Sequence, residues 1–159
     1  MKNQNEIIDV INQYSNMVYR IALTRTGTVE NAEDIFQEVF LKYSEKMPKF
    51  ENEEHKKAWL IKVTINLTKN FHNFSWNKKV VNLDEAIVLK TEEQTEVFSI
   101  VCELPSNYKT VIYLMYYEGY KVKEIANFMK VSEGTIKTWA FRAREILREK
   151  LEGGFEDEQ

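Results

Sequence analysis

Lys137, Thr138, Phe141 and Arg142 stand at i, i+1, i+4 and i+5, the spacing that puts four side chains on one face of a helix. Their chemistry is that of a double-stranded nucleic-acid reader. Lys and Arg donate to guanine edges and phosphates, Thr does either, and an aromatic ring can meet a thymine methyl. Thr135 and Arg144 lie at the margins of this face, and Glu145 extends it. The residue types needed for bond-making chemistry are sparse by comparison. Cys102 is the single cysteine, so no disulfide within the chain is possible, and His55 and His72 are too few and too isolated for a zinc site. No catalytic residue, metal, cofactor or small-molecule substrate is therefore expected, and the protein is read as not being an enzyme.

An element must hold that face, and residues 121–150 supply it. Ile125, Ala126 and Met129 have the spacing of a short amphipathic helix, and Val131 interrupts the period before Ser132, a good N-cap residue. From that cap Ile136, Ala140, Ala143 and Leu147 recur at i, i+4, i+7 and i+11 as a buried stripe opposite the polar face. A single helix of this kind is equally a charged amphipathic helix solvated on one side. A short helix, a turn and a longer helix in succession form a helix-turn-helix, whose second helix docks in the major groove.

The rest of the chain also reads as helical. Of the 159 residues, 43% are hydrophobic, with five Gly and two Pro, and helical periodicity dominates with no alternating strand pattern. The expected fold is all-α, with two small helical domains joined by an acidic linker. The N-terminal stretch MKNQNEIIDVINQY lacks an apolar signal core, and no apolar run has the length to span a bilayer, so a cytoplasmic protein is expected. The net charge of -3 is unfavourable for phosphate binding, but its distribution is uneven. Residues 41–81 hold nine Lys against four Glu, and residues 119–152 hold eight Lys or Arg against five Glu. Between them, residues 82–103 carry six acids against Lys90, and the last seven residues add Glu156, Asp157 and Glu158. Two basic, DNA-facing segments separated by an acidic linker imply weak DNA binding by the isolated chain.

In chain order, residues 5–25 place Ile7, Ile8, Ile11, Val18, Ile21 and Ala22 at helical spacing, as core. Gly27 and Thr28 end this helix, and Thr28 or Asn31 caps the next. That helix buries Ala32, Ile35, Phe36, Val39, Phe40 and Tyr43 and leaves Glu33, Asp34, Gln37 and Glu38 as an acidic, amide-bearing strip. Met47 to Lys57 reads as a polar loop with Phe50 exposed. A third helix, beginning with Trp59, Leu60, Val63 and Leu67 and extending to about Phe74, shows Lys62, Asn66, Lys69 and Asn70 interleaved with Phe71, Phe74 and Trp76. Cations that track phosphates beside rings that stack on bases suit single-stranded DNA. Trp59 is expected to pack, and His55 and His72 to be polar surface residues. Pro105 then opens a helix carrying Tyr108, Val111, Ile112, Leu114 and Met115 that ends near Gly119 and braces the helix-turn-helix.

The two halves together resemble the extracytoplasmic-function (ECF) group of bacterial sigma factors, the promoter-recognition subunits of RNA polymerase. AEDIFQEVFLKY, a Phe-containing loop and WLIKVTINLTKNF look like conserved region 2, and LPSNYKTVIYLMYYEGYKVKEIANFMKVSEGTIKTWAFRARE looks like region 4. The resemblance covers nearly the whole chain. It implies region 2 over 1–76, a linker over 77–99, region 4 over 100–152 and an acidic tail over 153–159. It implies that Asp34, Gln37, Glu38 and Phe40 dock on a coiled coil of core RNA polymerase. Phe50, Glu51 and Asn52 would fall in the loop that captures a flipped base of the −10 element, with Lys62, Asn66, Lys69 and Asn70 holding the opened strand. Thr135, Lys137, Thr138, Phe141, Arg142 and Arg144 would bind the −35 element. Core RNA polymerase, promoter DNA and an anti-sigma factor are the implied partners, and the linker would enter the RNA exit path; that its acids imitate RNA there is a hypothesis added to the resemblance. Three features depart from the family pattern. The loop reads ENEE after Phe50 where an Arg-Gly pair is common, Lys121 replaces a capping Ser or Thr, and Lys130 holds a turn position usually given to Gly. Two other readings differ in class: a stand-alone helix-turn-helix regulator with an N-terminal dimerisation or ligand domain, and a module that sequesters another regulator without touching DNA.

Overall fold

The computed structural model describes residues 2–69 and 99–157, with side chains described for 4–69 and 99–152, and every regular element among them is helical. The chain divides into two compact units, residues 1–88 and 89–159. The expected linker therefore lies outside the described residues except for Ser99, as do Asn70, Phe71, His72, Phe74 and Trp76.

The described residues of the first unit form three helices, each packed on the other two. Helix α1, Lys2–Thr26, buries Val10, Tyr14, Met17, Val18, Ile21 and Ala22, the i, i+4, i+7, i+8, i+11 and i+12 positions of one stripe. Ile7 and Ile11 are half-buried and Ile8 faces solvent, so the expected core begins later along the helix. Gly27, at φ 79°, ends α1 by donating its N–H to the Leu23 carbonyl at 2.9 Å. Thr28 caps α2, Val29–Lys46, accepting the Asn31 N–H at 3.2 Å. Ala32, Ile35, Val39, Phe40 and Tyr43 form its buried side.

Helix α3 spans Glu53–Thr68, so it starts inside the stretch read as a loop. The physical reason is local. The Asn52 Oδ1 accepts the His55 N–H at 2.8 Å, and Glu53 and Glu54 occupy the first turn, where carboxylates complement the helix dipole. Its buried face is also not the expected one. Leu60, Ile61, Thr64, Ile65 and Thr68 face the core, whereas Trp59, Val63 and Leu67 are half-buried on another side. Two threonines obscure that stripe in the sequence, and burial is tolerated because Thr64 and Thr68 donate their hydroxyls to the Leu60 and Ile65 carbonyls at 2.7 and 2.6 Å.

In the second unit a helical turn ends at Cys102, and Pro105 sits at the N-cap of α4, Ser106–Ile112, one place before the first helical turn. The helix continues without a break as a π-turn over Tyr113–Tyr117, which periodicity alone did not announce. The widened register is closed by the Glu118 N–H, which donates to the Tyr113 carbonyl at 3.2 Å, and by a 2.7 Å bond from the Tyr113 hydroxyl to the Glu118 carboxylate. Gly119, at φ 76°, then turns the chain into α5, Val122–Met129, followed by α6, Glu133–Asp157. The backbone of α6 thus extends to Asp157, within the segment read as an acidic tail. Val101, Leu104, Ile112 and Ala143 make a core onto which Tyr108, Ile146 and Leu147 pack.

Candidate nucleic-acid interface

The candidate recognition face is built from the turn outward. Lys130 takes the left-handed conformation at φ 58°, as a residue in a glycine position must, and the Val131 N–H donates to the Ala126 carbonyl at 3.1 Å. Ser132 then caps α6, its Oγ accepting the Thr135 N–H at 3.1 Å. The start of α5 is better held than a Lys at 121 suggests, because the Glu124 carboxylate accepts the Lys121 N–H at 3.0 Å, half of a capping box. Ile136, Ala140 and Ala143 are buried, and the small Ala143 packs with Val101, Leu104 and Ile112. This burial turns Lys137, Thr138, Phe141 and Arg142 to solvent together. Phe141 is 59% exposed, which leaves its ring available to an apolar group such as a thymine methyl.

At the margins, Thr135 is tied into the cap, its hydroxyl 2.8 Å from the Ser132 Oγ. Glu145 pairs along the helix with Arg148 at 3.5 Å. Arg144 donates from Nη1 to the Tyr116 hydroxyl at 3.4 Å. Tyr116 sits in the π-turn and is 59% exposed, so an aromatic group from outside the helix-turn-helix adjoins the face. The sequence signal for Tyr116 is weak, because the α-helical period assigns it no special side.

In the first unit, Asp34, Gln37 and Glu38 are exposed on one side of α2, and Leu41 continues that side at 57% exposure. Phe40, grouped with them in the sequence reading, is 5% exposed and packs edge-on against Phe36 at 4.9 Å. It supports the strip from behind. Leu41 was legible as the one apolar residue of α2's C-terminal half that the core stripe leaves out, at i+3 from Glu38 and i+4 from Gln37.

The loop between α2 and α3 is held by rings. Met47, at φ 39°, ends α2, and Phe50 stacks on Tyr43 with centroids 6.4 Å apart and meets Trp59 edge-on at 6.0 Å. Phe50 is thus half-buried, not exposed, while Glu51 and Asn52 remain at the surface. Two tyrosine–carboxylate bonds fasten the loop's surroundings. The Tyr14 hydroxyl donates to Glu53 at 2.7 Å, and the Tyr43 hydroxyl donates to Glu6 at 3.4 Å. Burial, and then the Glu53 carboxylate, raises the Tyr14 phenol above its ordinary pKa, and the Tyr14 bond followed by that of Lys56 holds the Glu53 carboxyl below its own.

Along α3, Lys62, Asn66 and Lys69 are exposed. Asn66 also reaches a groove of about 300 Å³ lined by Lys42, Lys46, Trp59, Val63 and Leu67. Two lysines and an indole beside an amide match the single-strand chemistry read from the sequence, and Lys42 and Lys46 come from a different helix, which is why that reading missed them. Cys102 contributes no nucleophile, since burial pushes its thiol up to about 11. Among the described residues no cluster of His, Cys, Asp or Glu could hold a metal ion, and no helix is long and apolar enough to cross a membrane.

An all-α chain with a helix-turn-helix in one unit and a cationic, aromatic groove in the other is a two-module nucleic-acid-binding protein. Two family models match it, Sigma-70 region 2 over residues 10–76 and Sigma-70, region 4 over residues 95–147. Similar proteins include the ECF RNA polymerase sigma factors SigW and SigM of Bacillus subtilis. SigW is 27% identical, with 94% of this chain and 90% of the relative covered, and SigM is 29% identical, with 96% and 99% covered. Among solved structures the fold is that of CnrH, solved with the cytosolic domain of CnrY, at TM-score 0.66 and 18% identity over 94% of this chain and 90% of that one. It is also that of the sigma factor RpoE of Bartonella quintana, solved with the anti-sigma factor NepR, at TM-score 0.64 and 20% identity over 94% and 96%. The chain belongs to the ECF group of the sigma-70 family and is an alternative sigma factor that serves transcription initiation. The stand-alone regulator finds no support, because the first unit matches sigma region 2 in place of a dimerisation or ligand domain.

Proposed function

We propose that this sigma factor divides its task among three surfaces. The exposed side of α2, with Asp34, Gln37, Glu38 and Leu41, docks on core RNA polymerase. The Phe50–Asn52 segment and the Lys62, Asn66 and Lys69 side of α3 read and hold the opened −10 strand, with the neighbouring groove receiving an unstacked base. Extruding a base costs a few kcal/mol, so a site that receives it favours the open state and reads the base together. The exposed face of α6 reads the −35 duplex, with Lys137 and Arg144 toward phosphates and Thr138, Phe141 and Arg142 toward base edges.

The observation that carries this reading is the presence in one chain of a recognition helix and, on a separate unit, an acidic strip that no internal contact of the described residues uses as core. The protein would be a non-enzymatic, cytoplasmic subunit that lends specificity to the polymerase's chemistry. Domain limits of 1–76 and 100–152 with the linker between suit this division. The two solved neighbours carry partners on the same fold, which supports an anti-sigma factor as a further partner here. The test is co-elution with bacterial core RNA polymerase and run-off transcription from genomic promoters that core alone leaves silent. Start sites preceded by two shared elements are expected; no co-elution and no new start sites would reject the reading.

A further inference from the structure

His55 has no part in the surfaces described so far, yet three contacts converge on it. Its Nδ1 accepts the Glu51 N–H at 3.3 Å. Its ring meets Phe50 edge-on with centroids 5.3 Å apart and planes at 83°. Its own N–H donates to the Asn52 Oδ1 at 2.8 Å. Residues 50, 51 and 52 are therefore each tied to residue 55 through different atoms: a ring, a backbone N–H and a side-chain amide. One of the first two ties needs an acceptor at the place of Nδ1 and the other an aromatic ring, so the imidazole supplies both, and only the third would survive replacement by a small side chain.

We infer that His55 is a positioning residue, which fixes the conformation of the Phe50–Asn52 segment and thereby sets how sharply the chain discriminates the base that the segment reads. The inference rests on the proposed role of that segment at the −10 element. Two features of this chain make the role necessary. The segment has no glycine to form a tight turn of its own, and it leaves α2 through Met47 in the left-handed region. Phe50 is already pinned on Tyr43 and Trp59, so the remaining freedom lies in Glu51 and Asn52, which are the residues the imidazole and its backbone hold. With Nδ1 accepting from Glu51, the neutral ring carries its proton on Nε2, a donor that the Glu51 contact does not use.

Three substitutions separate the ring from its acceptor. His55→Ala removes both, His55→Phe keeps a ring without the acceptor, and His55→Asn keeps an acceptor near the place of Nδ1 without the ring. The full-length chain would be assayed with core polymerase on a promoter library randomised through the −10 element, and for amide hydrogen exchange. H55A and H55F should lose roughly three- to ten-fold in preference for the favoured base, the range of one hydrogen bond, with faster exchange at the Glu51 amide, and H55N should regain most of both. Asn66→Ala and Phe50→Ala serve as controls for the site itself. Unchanged preference in H55A while N66A and F50A impair −10 recognition would overturn the positioning role and leave the site intact, and unchanged preference in H55F alone would overturn the hydrogen bond as its means. Equal loss in all three His55 variants would overturn the hydrogen bond as its means. No effect of N66A or F50A would remove the −10 reading and the positioning role with it.

Discussion

Arg142 and Lys137 lie on the same exposed face, but their chemistry assigns them different work. Arginine's planar fork matches a guanine edge, so Arg142→Ala should cost about 1–3 kcal/mol at the preferred −35 sequence and relax the choice at one base pair. Lys137→Ala should weaken all sequences alike and lower the salt slope of binding by about one. A −35 library bound by the reconstituted holoenzyme at several salt concentrations distinguishes them, and unchanged binding by both variants would refute the face. Lys130 makes a separate residue-scale case, because its left-handed backbone places Cβ against the following carbonyl. Lys130→Gly should relieve on the order of 1 kcal/mol, less the extra entropy glycine brings to the unfolded chain, and should raise the melting temperature of the transition that includes α5 and α6. A lower melting temperature would mean that the lysine side chain makes a contact worth more than the strain.

At the scale of elements, two devices aim α6. Ser132 holds its first turn, and the π-turn between α4 and α5 lets Tyr113 be wholly buried while its hydroxyl remains bonded to Glu118. Ser132→Ala should cost about 1 kcal/mol of local stability, read as roughly five-fold faster hydrogen exchange at the Thr135 to Lys137 amides. Binding to −35 DNA should weaken in step, because those residues begin the face proposed to read it. Exchange confined to its wild-type rate would show that packing of Ile136 and Ala140 holds the turn without the cap. The same logic applies to α3, where Asn52 and two carboxylates start the helix earlier than its apolar residues suggest.

At the scale of the whole molecule, stability and pH are linked through the contacts that bind α1 to the other helices of its unit. The Glu53 carboxyl titrates lower in the folded chain, so its contribution is complete above the unfolded value of about 4.3 and is lost as pH falls through the lower folded one. Tyr14 and Tyr43 are shifted the opposite way, chiefly by burial, so their contribution is present below about pH 10 and fades as pH rises beyond it. Tyr14→Phe should therefore flatten both limbs of melting temperature against pH, measured from about pH 3 to about pH 11. Parallel curves for variant and wild type would place the acid sensitivity elsewhere. Net charge acts at this scale too. A chain of charge -3 whose cations are gathered in segments is expected to bind promoter DNA well only when polymerase supplies further contacts.

The helix-turn-helix was legible in the sequence because its buried stripe is built from Ile136, Ala140 and Ala143 at strict helical spacing, so the opposite face follows by elimination. The acidic side of α2 was legible for the same reason. The burial of Phe40 was legible too, since it falls on the apolar stripe with Val39 and Tyr43, and only the family resemblance grouped it with the acidic strip. The face of α3 escaped because Thr64 and Thr68 carry hydroxyls that periodicity counts as polar, although each returns a hydrogen bond to its own helix and buries at little cost. The groove with Lys42 and Lys46 and the ties of His55 to the loop depend on side chains meeting across elements or across a turn. Local order and the exposed face of α6 were thus determined by spacing along the chain, where one helix is its own frame of reference, and the family was carried by the resemblance of its two motif stretches. Which rings cover the loop, which lysines join Asn66 and where Tyr116 emerges were decided only by tertiary packing, because no period within one segment encodes its distance to another.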